Sequence, residues 1–289
     1  MQKDMIDRLR HPSESSRYWL AVVATTPLLL LGLILTFASF GVVVLIAGIV
    51  VALIWFTVML LEAAFKANLV QVSDHNFPEI KAIVDECRRG LCYEPTIDVY
   101  VQDGNANAFL FKFFSRKFMV VQADFIDEAS RAELVWLIGR FVGMLKAKHD
   151  RLSLLTALVG VSERFVFLNL LLYPYERAVV YSGDQMGLFL SQDLNASLLA
   201  LNRLIIGKSL NRHVASEGLL EQHLAIRGRF LPWLVRLMST HPHHVDRHAN
   251  LFRFAQAEMP QALESYRAAP RQVPPRLFEL PEPELASAA

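Results

Sequence analysis

No charged residue occurs between Arg17 and Glu62. A single membrane-spanning helix needs ~20 apolar residues, and the run from Tyr18 to Leu61 is about twice that length. It has one weak point, Ala38-Ser39-Phe40-Gly41, where small residues can turn the chain. The run therefore predicts two transmembrane helices, over 18–38 and 41–61, joined by a tight hairpin. Pro27 falls inside the first helix. It is tolerated there because neighbouring helices and the hydroxyls of Thr25 and Thr26 can satisfy the backbone carbonyl it frees. A secretory signal is excluded, since its apolar core is only ~7–15 residues long.

Basic residues flank the run on both sides, with Lys3, Arg8, Arg10 and Arg17 before it and Lys66, Lys81, Arg88 and Arg89 after it. Positive charge marks the cytoplasmic side, and the acidic Asp4, Asp7 and Glu14 count for little in that rule. Two spans return the chain to the side it left. The expectation is a multi-pass protein of the cell (inner) membrane. It would have a cytoplasmic N-terminal segment (1–17), two spans (18–61), a cytoplasmic main domain (62–265) and the lipid bilayer as a partner.

The net charge is only +1, which gives no basic face for a nucleic acid. Cys87 and Cys92 are the only cysteines. Two cysteines make no disulfide framework, and reduced thiols suit a cytosolic domain. As a metal pair they lack a second pair to complete a site.

Past Glu62 the pattern alternates between helix and strand. Ile80, Ile83, Val84 and Cys87 give a helical stripe that stops at Gly90, within a segment read as helical over 62–95. Ile97, Val99 and Val101 alternate, so 96–102 is a strand. Asp103-Gly104-Asn105 is a turn. The Phe- and Val-rich stretch 108–122 predicts one or two strands around Ser115-Arg116-Lys117. Ser130 with Glu133 three residues on is a capping-box signature that opens a helix of about 16–20 residues. The segment 150–173 is very apolar but carries Glu163 and Arg164. Charges at mid-membrane are costly, so a buried or membrane-surface helix is preferred to a third span. Helices are expected over 175–190 and 196–206. The Pro-rich tail, 266–289, is expected to be disordered.

Taken in order, these pieces resemble the HtpX-like membrane zinc metallopeptidases, relatives of the prenyl-protein proteases. The resemblance rests on Val99-Tyr100-Val101-Gln102-Asp103, then Asn107-Ala108-Phe109, then Val120-Val121 leading through Phe125-Ile126-Asp127 into Ala132-Glu133-Leu134. Later, the stretch from Glu176 to Leu188 is similar to the family's Arg-x-x-Glu-Tyr-x-Ala-Asp-x-x-Gly. Ser239-Thr240-His241-Pro242 followed by Arg247 is similar to its closing segment. The resemblance implies a mainly α fold with a small β-sheet, an α+β zincin-like domain, behind the transmembrane hairpin.

In that family H-E-x-x-H sets two imidazoles one helical turn apart on a zinc, with the Glu as general base. A later helix adds a third ligand. Carried onto this sequence, Gly139 and Gly143 stand at the two His positions, Arg140 at the Glu, and Val180 at the third ligand. None of these side chains can do the original job, since Arg only donates hydrogen bonds. Asp184 and Arg177 match the supporting residues behind the ligands. Arg140 is the natural partner for Asp184, although either residue could instead be a surface charge. Gly139 and Gly143 also form Gly-x-x-x-Gly, a close-packing signature.

On this reading the chain is not an enzyme but a pseudopeptidase, with no bound metal or cofactor. It would act as a scaffold or regulator in membrane-protein quality control. Asn107, Ala108 and Phe109 would form the groove edge that takes a membrane-protein or unfolded-polypeptide client by strand addition. The alternative is an active zinc metalloendopeptidase with relocated ligands, drawn from His241, His243, His244 and His248. A solvated, partly titrating surface is the plainer reading of that cluster.

Overall fold

The computed structural model describes residues 2–39, 41–104, 107–113, 116–147, 166–207, 209–239 and 241–269. The expected segment 152–173 falls mostly outside these residues, and the tail from Pro270 falls wholly outside them.

A short helix α1 (Gln2–Leu9) leads into the long apolar helices α2 (Glu14–Ala38) and α3 (Val42–Asn68). Both are long and apolar enough to cross a membrane, with mean hydropathies of 2.3 and 2.9. Their apolar side chains stand largely exposed, among them Leu29 at 67% and Leu45 at 66%. The hairpin falls at the weak point. Gly41 takes the left-handed region at φ 89° and caps α3, a conformation that glycine adopts without steric cost. The Thr25 and Thr26 hydroxyls donate to the carbonyls of Ala21 and Val22. That differs from the role expected of them, because Pro27 leaves the Val23 carbonyl without its helical donor.

α3 runs seven residues beyond Leu61, where the charge-free run closes, and ends at Asn68. The chain then forms the short strand β1 (Val70–Gln71) before α4 (Pro78–Gly90). The continuous helix expected over 62–95 is thus broken, and Pro78 opens its second part. Strands β2 (Asp98–Gln102), β3 (Ala108–Phe113) and β4 (Arg116–Gln122) complete a sheet of order β1-β2-β4-β3. β2 and β4 pair in parallel, Val99 opposite Met119 and Val101 opposite Val121. β3 and β4 form an antiparallel hairpin. The period-two pattern sends Val99, Val101, Met119 and Val121 into the main core. Tyr100, Phe118 and Val120 face the other way, onto Phe65 and Leu69. The foot of α3 therefore covers the outer face of the sheet.

After α5 (Ala123–Ile126), α6 (Arg131–Lys146) opens with the full capping box. The Ser130 hydroxyl accepts from the Glu133 N–H at 3.2 Å, and the Glu133 carboxylate accepts from the Ser130 N–H at 3.3 Å. Glu133 also takes the Arg203 Nε at 3.1 Å, while that guanidinium donates to the carbonyls of Asp127 and Glu128. One buried arginine thus ties the loop before α6 to α8 (Leu194–Ile206). Ser130→Ala is expected to cost about 1 kcal/mol, read as a fall in the denaturant midpoint with an unchanged slope.

α6 is buried nearly all round, from Val135 to Gly143, as befits a helix in the middle of a core. It packs against α7 (Val166–Ser191), which runs through Pro174 without ending. The remaining elements are a 3₁₀ turn (Asn211–His213), α9 (Ser216–Ile226), α10 (Phe230–Leu237), α11 (His244–Glu258) and α12 (Pro260–Ala268). Ile6 and Leu9 of α1 join the same buried cluster. The result is the expected mainly helical fold with a small sheet and two N-terminal apolar helices.

Candidate functional site

Four glycines set how closely α6 and α7 approach. A Cβ built on Gly139 would lie 2.8 Å from Leu190 Cδ1, and one on Gly143 2.5 Å from Met186 Sδ. On the facing helix, a Cβ on Gly187 would lie 2.6 Å from the Trp136 carbonyl oxygen, and one on Gly183 3.1 Å from Met144 Cγ. Rising numbers on α6 meet falling numbers on α7, so the helices run antiparallel. Two Gly-x-x-x-Gly runs, 139/143 and 183/187, meet face to face. Small residues of this kind let helix backbones come together. The close-packing reading of Gly139 and Gly143 is therefore realised, and its counterpart on α7 was present in the sequence at the same spacing.

Beside this seam lies a buried charge cluster. Asp184 is 0% exposed. Its two carboxylate oxygens accept from Arg247 Nε at 2.7 Å and Arg247 Nη2 at 2.8 Å. Arg140 Nη1 stands 3.5 Å from Asp184 Oδ1. Arg140 is itself buried and lies 5.3 Å from the ring centres of both Trp136 and Phe141. Neither residue is a surface charge. Arg140 does contact Asp184, as the sequence suggests, but the two-pronged partner is Arg247, from α11. Bidentate pairs of this kind are the strong ones. Two guanidiniums share one carboxylate, so the cluster carries a net positive charge. Burial lowers the Arg140 pKa, Asp184 raises it and Arg247 lowers it again, leaving it at about 10 and the group cationic at neutral pH. Burial, followed by Arg247 and Arg140, also holds the His241 imidazole below its usual range.

Arg177 does not join this cluster. Its Nη1 donates to the carbonyls of Arg236 and Ser239, both at 2.7 Å. Val180 is buried, one helical turn before Asp184. Asn107, Ala108 and Phe109 lie at the start of β3. The Asn107 side chain caps the Ala108 N–H at 2.8 Å, and its carbonyl accepts from Gln122 at 3.0 Å.

The zinc that the resemblance implies does not fit these positions. Gly139, Gly143 and Val180 present no donor atom, and the space a side chain would need at 139 and 143 is filled by Leu190 and Met186. Arg140 brings a buried cation to the same place. Among the described residues, no group of three or more His, Cys, Asp or Glu lies close enough to hold a metal ion. The cysteines also stand apart, with Cys87 buried and Cys92 exposed, both as free thiols.

The histidine cluster is solvated only in part: His241 is exposed, and His243 and His244 are half-buried. His248 is fully buried. His248 Nε2 and His244 Nε2 both lie on the single oxygen Asn202 Oδ1, at 2.8 and 3.1 Å. Because a carbonyl oxygen only accepts, both rings donate from Nε2. His223 instead pairs with Asp246, Nδ1 to Oδ1 at 2.8 Å. Burial, then His244 and Arg247, push His248 down to about 3, and burial and Arg247 take His244 to about 4. An unfolded histidine titrates near 6.5. Between those values the unfolded chain takes up a proton that the folded chain refuses, so stability falls as pH drops. For His248 the expected slope is about 1.4 kcal/mol per pH unit below pH 6. Denaturant melts at pH 7 and pH 4.5 measure it, and His248→Gln should flatten the dependence.

The model of Peptidase family M48 matches residues 74–254, more than half of the chain. The chain belongs to peptidase family M48. The matched range begins just after β1 and closes within α11, so it takes in strands β2 to β4, the α6–α7 crossing and the Asp184–Arg247 pair. No curated protein and no solved structure matches the chain.

This membership corrects one expectation. The four altered side chains led to the reading that the chain is not an enzyme, but M48 is a peptidase family and membership points to a protease. The physical reason lies in how little of a peptidase those residues represent. The family match spans β2 to β4 and the helices from α4 into α11, whereas four positions describe one site. Residues 148–165, which join α6 to α7, also lie outside the described structure.

Proposed function

We propose that this M48 protein is anchored in a membrane by α2 and α3, with its main domain on the cytoplasmic side, and binds extended polypeptide along β3. The clients would be unfolded or membrane proteins, and the role one of scaffolding or regulation in membrane-protein quality control. The carrying observation is the sheet order β1-β2-β4-β3, which leaves β3 at an edge with β4 on one side and no described strand on the other. An edge strand offers a row of backbone donors and acceptors to an incoming strand. Phe109, 42% exposed, stands on that edge as an apolar contact. Binding of this kind is the step that a client-holding role shares with peptide cleavage.

Fluorescence anisotropy of a labelled, unfolded casein peptide against the full chain in nanodiscs tests the reading. Phe109→Asp should weaken binding about tenfold, since it sets a charge on an apolar strand contact worth about 1 kcal/mol or more. Unchanged affinity, with an unchanged melting temperature, would remove β3 from the binding surface. Assaying the same samples for cleavage, with and without added zinc, measures how much of the family's peptidase activity is present.

A further inference from the structure

Away from the α6–α7 site, α10 is the most exposed apolar element among the described residues outside the two long helices. It has no buried residue, and Phe230, Leu231 and Val235 are 67%, 68% and 60% exposed. Exposed apolar helices of this size mark a docking surface. Its ends carry Arg229 and Arg236, and Trp233 stands between them. An apolar face with Trp and flanking arginines is the composition of a helix that lies in a membrane interface.

The position of α10 agrees with its composition. Arg177 holds the end of α10 by two hydrogen bonds, to the carbonyls of Arg236 and Ser239. Pro174 and Arg177 lie about one helical turn apart on α7, so the residue that holds the end of α10 neighbours the carbonyl that holds Arg17. Arg17 is the last charge before the apolar run of α2, and its Nη1 donates to the Pro174 carbonyl at 3.1 Å. The end of α10 is therefore tied, through α7, to the level at which α2 would enter the bilayer. Arg236 lies 3.6 Å from Asp246, whereas the exposed Arg227 and Arg229 before α10 match the negative charge of a cytoplasmic leaflet.

We propose that α10 and the turn before it, residues 227–238, form a membrane-surface anchor that lies in the headgroup layer of anionic lipid. This rests on the reading of α2 and α3 as membrane-spanning. The anchor would fix the domain against the bilayer at a second place, beyond the hairpin, and hold the sheet at a set height above the lipid.

Nitroxide labels on the full chain in phosphatidylcholine–phosphatidylglycerol vesicles test it. Cys92 is replaced by Ser, while Cys87 is buried and stays. Single labels are placed through Leu231→Cys and Val235→Cys, with Leu45→Cys on α3 and Glu217→Cys on α9 as references. At 231 and 235 the ratio of oxygen to water-soluble nickel-chelate accessibility should exceed that at 217 by about threefold and stay below that at 45, as for an interfacial helix. Values at 231 and 235 equal to that at 217 would overturn the anchor while leaving the spans intact. Labels there that are immobilised but shielded from both reagents would assign the face to a protein partner and overturn it too. A water-like value at 45 would remove the spanning reading itself, and the anchor with it.

Discussion

Asp184→Ala is expected to destabilise the domain by about 3–5 kcal/mol, because it leaves buried charge without its partner. For a domain of about 200 residues that is a fall of about 6–20 °C in Tm. The size follows from the charge count at the site. One carboxylate, 0% exposed, balances two buried guanidiniums, Arg247 at 2.7 and 2.8 Å and Arg140 at 3.5 Å. Removing the carboxylate leaves two like charges facing each other in a low-dielectric place. Removing Arg140 instead leaves a neutral, bidentate Arg247–Asp184 pair. Arg140→Ala should therefore cost less than Arg247→Ala, its loss limited mainly to contacts with the Trp136 and Phe141 rings. Thermal melts of the three variants decide the order. Equal losses for Arg140→Ala and Arg247→Ala would mean that the carboxylate is shared evenly and that the bidentate geometry carries no extra weight.

Gly139→His with Gly143→His, which rebuilds the two-imidazole spacing on α6, is expected to lose about 2–6 kcal/mol through overpacking and to gain no zinc affinity. The first side-chain carbon at 139 meets Leu190 Cδ1 at 2.8 Å, and at 143 it meets Met186 Sδ at 2.5 Å and Met186 Cβ at 2.6 Å. The single change Gly143→Ala gives the cleanest sign. In an ordinary helix, Gly→Ala gains up to about 1 kcal/mol, and Gly218→Ala on α9 should do so, since nothing lies within 4 Å of its Cβ position. At Gly143 the same change should be destabilising, because Met186 must move. Equilibrium denaturation compares the two. A gain at Gly143 would show that α7 yields readily, and zinc titration of the double His variant would then become the measurement that matters.

Much of the fold was legible because it is written in local patterns. The charge-free run from Tyr18 to Leu61 yields α2 and α3, and Gly41 turns the chain between them. Alternating Val99 and Val101 yield β2, and Ser130 with Glu133 starts α6. Each of these needs only neighbours in the chain, through hydrogen-bond satisfaction or period. The order of motifs was enough to point to the peptidase fold that the family match bears out. The break between α3 and α4 was less legible, because an apolar stripe on both sides of it reads as one helix.

Partners far apart in the chain belonged to the tertiary structure alone. Arg140 stood out in the sequence as the replacement for a general base, yet Asp184 takes its main partner from 63 positions away. His244 and His248, four residues apart, were candidate metal ligands, but the fold sets both rings on Asn202 and buries His248. Gly183 and Gly187 matched the spacing of Gly139 and Gly143, and only the antiparallel crossing made the two pairs into one seam. The sequence by itself determined a chain of mostly helical elements with two apolar helices long enough to cross a membrane, and the side chains at the positions compared with the family's zinc site. Tertiary structure decided what fills that space, because which atoms meet across two helices depends on their crossing and depth, and no local period encodes either.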